Sequence, residues 1–173
     1  RWLEFSTPAW TRFSRGLHYV MTDASSKQVL NTLQPYGTPL PDHGTPPALA
    51  EVFTRNATVL TDVFTGPLTQ KPAVAMGVPV VVDGKVLYSL NIGLSPDRIT
   101  DIVRRHTTHD GWVVAVLDQT GTIVGRSREA DRFVGQKAVP ELAAAARAGG
   151  EGQLDIQTKD GIPVLAASAT SET

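Results

Sequence analysis

Hydroxyl and amide side chains alternate with bulky apolar ones along a segment typical of a β-strand, residues 86–94. Ser89 and Asn91 are among the smaller side chains, which point to one face of the predicted strand. Gly77 is likewise one of the small residues that alternate with bulky ones in the preceding apolar segment, residues 73–82. Small side chains leave room in a close-packed sheet, and hydroxyl and amide groups donate and accept hydrogen bonds there. This face indicates either the floor of a small-molecule pocket or a surface on which a helix packs closely.

A loop rich in proline, residues 31–41, carries further groups that could bind a ligand. Asn31 offers an amide, and Tyr36 offers an aromatic ring with a hydroxyl. We interpret this loop as a second pocket wall, with Asp62 and Phe64 on the next strand closing the site. The alternatives are structural, since prolines can simply stiffen the loop, Asn31 can cap backbone groups and Asp62 can face solvent. The predicted ligand-binding residues are Asn31, Tyr36, Asp62, Phe64, Ala75, Gly77, Tyr88, Ser89 and Asn91.

Charged and metal-binding side chains cluster at two other places. Arg126 and Arg128 are followed by several acidic residues, so they could bind an anion or form a surface ion-pair network, and we favour the network. His106 and His109 have the spacing of metal ligands on a helix, with only Asp110 as a third candidate. We therefore expect solvated histidines and predict no metal site.

Motifs and composition argue against several functional classes. The sequence contains no serine-hydrolase, phosphate-loop, dinucleotide or zinc-protease motif, which predicts a non-catalytic chain without a cofactor. A formal net charge of −1 and the lack of a basic stripe argue against a nucleic-acid partner. The chain has no cysteine, which excludes disulfides and cysteine-ligated metals. It also has no apolar run of the roughly 20 residues that cross a bilayer.

Two stretches of the chain repeat the same pattern about 95 residues apart, residues 17–31 and 112–126. Each is an apolar β-branched run that ends in an aspartate, at Asp23 and at Asp118, followed by a tight turn and a second β run. A loop, a helix opened by proline and further strands follow each stretch. The repeat predicts one structural module used twice.

Apolar periodicity and turn residues predict a similar order of elements in both halves. The predicted strands of the first half are Leu17–Asp23, Lys27–Leu33, Thr58–Phe64, Ala73–Val82 and Val86–Leu94. The predicted helices are Pro8–Arg15 with Thr7 as its cap, one from Pro46 with Thr45 as its cap, and Ser95–His106, which connects the halves. The second half is predicted to contain strands Trp112–Asp118, Thr122–Ser127, Gly152–Thr158 and Ile162–Ala169, a loop over 128–136 and a helix Pro140–Ala148.

The strand count differs between the two halves. The first module has five predicted strands, whereas the second has four before the sequence ends at Thr173. A missing strand would leave an unpaired sheet edge, which folded domains rarely tolerate unaided. We expect that the chain is a fragment of a longer protein or that another segment fills the gap.

Two β-β-α-β-β-β modules joined by a helix resemble the double Cache (PAS-like) sensor domains of bacterial transmembrane receptors. The resemblance rests on residues 19–25, 31–41, 77–80, 121–127 and 132–135. It implies an α+β fold of two tandem modules, each an antiparallel sheet with flanking helices, the second lacking its last strand. The implied boundaries are 1–94 for the first module, 95–110 for the connecting helix and 111–173 for the second module.

The same resemblance implies a function. The chain is expected to be the extracytoplasmic small-molecule sensor of a bacterial inner-membrane receptor, most directly a periplasmic part of a histidine kinase, and a homodimer in the full-length receptor. The expected ligand is a small organic acid or another metabolite; the residue pattern of amino-acid-binding members is not evident. The alternative is a PAS-like dimerisation module that binds no small molecule.

Overall fold

The computed structural model describes residues 17–41 and 44–170, and these residues form two compact units. The first unit comprises residues 17–61 and 65–95, and the second comprises residues 62–64 and 96–170. The helix predicted at Pro8–Arg15, with Thr7 as its cap, lies outside the described residues. No helix within the described part of the chain is long and apolar enough to span a membrane.

The first unit is built on an antiparallel sheet with the strand order β2-β1-β6-β5-β3, and a short strand β4 also pairs with β5. Its strands are β1 (Leu17–Asp23), β2 (Gln28–Asn31), β3 (Val59–Leu60), β4 (Phe64–Thr65), β5 (Pro72–Val82) and β6 (Lys85–Leu94). β6 is central, because β1 pairs with it from Leu17↔Leu94 to Asp23↔Tyr88 while β5 pairs along its other side. The strands predicted for this half therefore form one sheet.

The β5–β6 hairpin closes through the predicted two-residue turn. Asp83 and Gly84 both have positive φ, 49° and 75°. Two residues of positive φ are typical of a type I′ turn, whose twist matches that of the flanking strands. Aspartate and glycine are among the residues that adopt this conformation at little cost, which explains why the sequence pattern located the turn correctly.

A short helical segment covers one face of this sheet, and we call it the cover. It consists of a 3₁₀ turn (Pro47–Ala50) followed by helix α1 (Glu51–Arg55), which packs on β5 and β6. Leu49 and Val52 are its buried side chains. The predicted Thr45 cap is wrong, because the Thr45 hydroxyl donates instead to the Ser26 carbonyl oxygen at 3.1 Å.

The predicted third strand, Thr58–Phe64, is divided into β3 and β4. Thr61 ends the pairing with β5, since its backbone N–H donates to the Ala75 carbonyl and its hydroxyl accepts from the Ala75 N–H. The next residues belong to the second unit, where Asp62 Oδ1 accepts a hydrogen bond from the Gln119 N–H at 3.1 Å. The strand is therefore interrupted after Thr61, because the hydrogen bond of Asp62 within the second unit outweighs the β propensity of this segment.

The second unit contains two separate hairpins and three helices. Its elements are α2 (Pro96–His106), β7 (Ala115–Leu117), β8 (Ile123–Arg126), α3 (Ala130–Phe133), α4 (Pro140–Ala148), β9 (Gly152–Gln157) and β10 (Pro163–Ser168). β7 pairs with β8 and β9 with β10. Within the described residues no strand joins the two hairpins, whereas β6 joins β1 and β5 in the first unit. A four-residue helix, α3, replaces part of the loop predicted over 128–136.

The repeated aspartate has the same structural role in both units. Asp23 Oδ1 accepts hydrogen bonds from the backbone N–H and hydroxyl of Ser25 and from the Lys27 N–H, at 2.9, 2.6 and 3.1 Å. Asp118 Oδ1 accepts the equivalent bonds from Thr120 and from the Thr122 N–H. The aspartates therefore hold the two hairpin turns, which is the physical origin of the repeat in the sequence.

Asp118 makes one contact that Asp23 lacks. Its Oδ2 accepts the Val63 N–H at 3.0 Å, so this carboxylate also holds residues 62–64 in the second unit. Burial raises the pKa of Asp118, but the hydrogen bonds donated by Thr122, Val63 and Thr120 outweigh it and hold the pKa below its ordinary value. The hydrogen bond from the Ser25 hydroxyl is the main reason that the pKa of Asp23 is also lowered.

We predict that Asp118→Asn lowers the free energy of unfolding by about 1–3 kcal/mol, because an amide nitrogen would face an N–H donor. Asp23→Asn is the matched control and should cost less, since its carboxylate binds only its own turn. Urea denaturation of the two variants measures the difference. Equal losses would show that the bond to Val63 contributes nothing.

Candidate functional site

One face of the first-unit sheet carries uncharged polar side chains, and we call it the polar face. Strand register places Thr22 beside Ser89, and Asn91 beside Val20, so these side chains point to the same side. The polar face comprises the buried side chains of Thr22, Gln28, Asn31, Ser89 and Asn91. Ser89 is 0% and Asn91 2% exposed, which is unusual for polar residues in the middle of a sheet.

The buried polar groups of this face satisfy one another. The Ser89 hydroxyl donates to Asn91 Oδ1 at 2.7 Å. Asn91 Nδ2 donates to the Thr22 hydroxyl at 3.3 Å and to the Ser89 carbonyl at 3.2 Å. Among the described residues, no buried side-chain nitrogen or oxygen lacks a partner. A ligand that bound here would therefore exchange hydrogen bonds with an existing network.

Asn31 extends the polar face at the end of β2. Its Nδ2 donates to Gln28 Oε1 at 2.8 Å, and its Oδ1 accepts the Leu33 N–H at 3.0 Å. The Asn31 amide thus caps a backbone group, which is the structural role given above as the alternative to ligand binding. Its predicted contact with a ligand stays a prediction.

The cover fills the space that the sequence analysis assigned to a ligand. A Cβ atom on Gly77 would lie 2.8 Å from Leu49 Cδ2, 2.6 Å from Asn91 Oδ1 and 3.0 Å from Ser89 Oγ. Of the two interpretations of this face, close packing of a helical segment is the one observed, because Leu49 lies in the space beside Ser89 and Asn91 that a pocket floor would leave open. Ala75 and Gly77 have the small side chains that let a helical segment approach this closely.

His18 lies at the far end of the same face, against Gly93, where any added side chain would meet its ring. Burial lowers the pKa of His18 from its ordinary value of 6.5. The folded state consequently favours the neutral imidazole, and His18 adds no positive charge to the polar face near neutral pH.

This pKa shift predicts how stability depends on pH. The unfolded chain binds more protons at this site than the folded chain, so the free energy of unfolding should fall as the pH drops below about 6.5. His18→Gln should remove that component of the pH dependence, whereas His106→Gln, at an exposed position, should leave it in place. Thermal denaturation between pH 5 and 8 is the test. An unchanged pH profile in His18→Gln would contradict the prediction.

Four predicted site residues lie away from the polar face. Tyr36 is fully exposed, and Tyr88 points to the opposite side of the sheet because it neighbours Ser89 along β6. Asp62 belongs to the second unit and bonds to Gln119, and Phe64 begins β4. The structure therefore brings together Ala75, Gly77, Ser89 and Asn91 on β5 and β6, with Asn31 on β2, on the other side of β1.

Sequence reasoning missed two members of the polar face, Thr22 and Gln28. The sequence did contain a signal for Thr22. Side chains two positions apart point to the same side of a strand, so Thr22 could be assigned to the same face as Val20. No comparable signal existed for Gln28, since a register shift between Met21 and Thr22 determines its partner.

The arginines of the second unit form an ion-pair network with an aromatic centre. The Arg126 guanidinium lies 4.2 Å from the centroid of the buried Phe133 ring and 3.7 Å from Glu129. Arg132 lies over the same ring at 4.7 Å and pairs with Asp160 at 2.9 Å. Arg126 is buried by these contacts, so its role here is structural. In the described part of the chain, no three histidine or acidic side chains are grouped as a metal site.

A groove of about 640 Å³ lies elsewhere in the second unit, beside the β9–β10 hairpin. Its lining residues are Glu141, Asp155, Ile156, Gln157, Pro163, Val164 and Leu165. None of the predicted ligand-binding residues is among them. The groove therefore offers a control site for binding experiments on the polar face.

The sequence matches no protein-family model and no curated protein. Solved structures do match. The extracellular ligand-binding receptor of Desulfohalobium retbaense DSM5692 has a TM-score of 0.65 and 18% identity, over 80% of this chain and 25% of that one. The extracellular domain of the histidine-kinase candidate rpHK1S-Z16 has a TM-score of 0.66 and 12% identity, over 86% and 63%. The ligand-binding domain of the Pseudomonas aeruginosa PAO1 amino-acid chemoreceptor PctC, in complex with GABA, has a TM-score of 0.57 and 16% identity, over 83% of this chain and 64% of that one.

The chain has the fold of Cache-type sensor domains. This confirms the predicted α+β class with PAS-like antiparallel sheets. The Cache-fold chain spans a quarter of the first of these chains and just under two thirds of the other two. The matched structures are the extracellular domain of a histidine-kinase candidate, an extracellular ligand-binding receptor and the ligand-binding domain of a chemoreceptor.

Proposed function

We propose that this chain is the extracytoplasmic small-molecule sensor of a bacterial transmembrane receptor, most directly a histidine kinase. The fold supports the proposal, since the matched structures include the PctC domain with GABA and the rpHK1S-Z16 domain. The observation that carries it is the polar face, where five uncharged polar side chains are buried and a nine-residue cover packs on β5 and β6. Groups that recognise a ligand by hydrogen bonding are commonly few and placed within an apolar surround.

The cover is the element that a ligand would displace. Leu49 and Val52 are its two buried side chains, and its charged residues Glu51 and Arg55 are exposed and pair with each other at 3.2 Å. Exposing Leu49 and Val52 costs about 1.5–3 kcal/mol each, a free energy that burial of the ligand against the same surface has to offset. The ligand would then bond to Ser89 and Asn91 in place of their bonds to each other. The free energy by which the ligand shifts the equilibrium between the covered and open states equals the difference between its binding free energies for those two states.

A change at the polar face could pass to the second unit through β6, which leads directly into α2. β6 ends at Leu94, and α2 begins two residues later at Pro96. Within the second unit α2 packs on β8, where the Arg126 N–H donates to the Thr100 hydroxyl at 3.4 Å. Because Ser95 alone separates β6 from α2, a shift of β6 would pull on the first turn of this helix. We propose that this helix is the relay between sensing and output.

Thermal denaturation with increasing ligand tests the function. A ligand that binds only the folded state raises the melting temperature with its concentration. We expect such a rise for at least one small metabolite, its loss in Ser89→Ala, and its retention in Gln157→Ala, which alters the groove instead. Loss in Gln157→Ala with retention in Ser89→Ala would move the site to the groove and contradict the proposal.

One observation favours the alternative of an interaction module. An apolar strip that leads into β7 is exposed, with Trp112 at 63%, Val113 at 44% and Val116 at 40%. Exposed apolar strands pair readily with other chains. In a full-length receptor this strip could contribute to a homodimer. Analytical ultracentrifugation of Trp112→Ser and the unaltered chain is read together with the ligand titration: self-association that the substitution weakens, in a chain that binds no small molecule, favours the interaction function.

A further inference from the structure

The described side chains of the polar face carry no full charge, and this limits the chemistry of its ligand. The side chains of this face in the described residues are hydroxyls and amides, with the neutral imidazole of His18 at its end. Asp23 and Lys85 stand at the ends of β1 and β6, outside the buried part. The two charged residues of the cover, Glu51 and Arg55, are exposed.

A charged ligand would meet no opposite charge among the side chains that the structure describes on this face. Burying a carboxylate or an ammonium without an opposite charge costs several kcal/mol, more than a few neutral hydrogen bonds return. Backbone N–H groups of β6 offer no substitute, because β1 and β5 occupy both of its edges. A zwitterion such as GABA, the ligand in the PctC complex, would bury both of its charges here without an opposite charge.

The amide of Asn91 sets a more specific requirement. A side-chain amide presents one acceptor and two donors, and it pairs through two parallel bonds with a group that offers a donor beside an acceptor. The hydroxyls of Thr22 and Ser89 lie next to it and can turn to donate or accept. This arrangement complements a carboxamide, a cyclic imide or a diol.

On the basis of the proposed function, we infer that the ligand of the polar face is an uncharged, hydrogen-bonding small molecule that carries adjacent donor and acceptor groups. Carboxylates and amino acids are excluded from this face. The expectation of a small organic acid, drawn from the sequence, is replaced by that of a neutral amide, heterocycle or polyol.

Matched pairs of neutral and acidic compounds test the inference. The pairs are nicotinamide with nicotinate, glutaramide with glutarate, uracil with orotate, and glycerol with glycerate, and GABA is added as an amino acid. Isothermal titration and thermal denaturation of the 173-residue chain are recorded with each. We expect at least one neutral member to bind at least about ten-fold more tightly than its acid, a difference of about 1.4 kcal/mol. GABA is expected not to bind.

Two variants assign the binding to the polar face. Ser89→Ala removes one hydroxyl from a strand whose pairing does not depend on it, and Thr22→Val removes the second hydroxyl at nearly constant volume. Each should weaken the neutral compound at least about five-fold, by the loss of one hydrogen bond. Gln157→Ala, in the groove, should leave its affinity unchanged.

The outcomes distinguish the inference from the function on which it rests. If an acid or GABA binds, and Ser89→Ala weakens that binding, the inference of an uncharged ligand is overturned and the proposed sensing function is retained. A panel in which no compound binds overturns both. Neutral binding that both hydroxyl variants leave intact also overturns the inference, because the polar face would not be the site.

Discussion

Replacing Gly125 with alanine is expected to lower the free energy of unfolding by about 3 kcal/mol or more. An added Cβ would lie 2.7 Å from Ile99 Cγ2, 3.0 Å from the Thr100 backbone nitrogen and 3.1 Å from the Ile99 carbonyl carbon. Two of these three atoms are backbone of α2, so the helix as a whole would have to move away from β8. Overpacking of this kind typically costs about 1–3 kcal/mol, and more when backbone must shift.

Gly152→Ala is the matched control in the same unit. Among the described residues, the Ser168 hydroxyl is the only atom within 4 Å of its added Cβ, at 4.0 Å. Urea denaturation should show a loss of less than about 1 kcal/mol there. Similar losses in both variants would contradict the close contact of α2 with β8. If α2 is the relay, Gly125→Ala should also weaken signalling in a full-length receptor while ligand affinity for the first unit stays the same.

Asn91→Asp is expected to destabilise the first unit by about 3–5 kcal/mol at neutral pH, because it buries a charge without a partner. Asn91 is 2% exposed, and its Nδ2 donates to the Ser89 carbonyl. A carboxylate oxygen in that position would repel the carbonyl. Burial should raise the pKa of the new carboxyl group, so part of the lost stability should return as the pH falls and the group becomes neutral.

Asn56→Asp makes the same chemical change at an exposed position. Asn56 ends α1 in the left-handed conformation, with φ of 46°, which aspartate also tolerates. We expect a loss of less than about 1 kcal/mol there, from the helix dipole. Chemical denaturation at several pH values compares the two variants. A small loss for Asn91→Asp at neutral pH would mean that water or a cation reaches the polar face.

Local signals in the sequence predicted much of the fold. Asp83-Gly84 specifies its turn through its own backbone preferences, and Pro140 with Gly149 marks both ends of α4. The aspartates at 23 and 118 revealed the repeat because each bonds to residues within four positions of itself. Features of this kind depend on neighbours in the chain, which a sequence displays directly.

The candidate site was predicted only in part, because its decisive contacts are distant in the chain. Leu49 packs against Gly77, 28 positions away, and nothing in either segment specifies that pairing. Asp62 looked like a residue of the first sheet, yet its partner is Gln119. Alternation along β5 and β6 did identify Ser89, Asn91, Ala75 and Gly77 as one face. Whether a helix or a ligand fills such a face is a matter of packing that alternation alone does not decide.

Hydrogen–deuterium exchange of this chain, with and without the tightest neutral compound of the matched pairs, measures the central event directly. The account predicts changed exchange in peptides that contain Leu49 and Val52, where the cover moves, together with slower exchange around Ser89–Asn91. Peptides of the β9–β10 hairpin should be unaffected. Changes confined to that hairpin, or none near Leu49, would contradict a ligand that binds the polar face by displacing the cover.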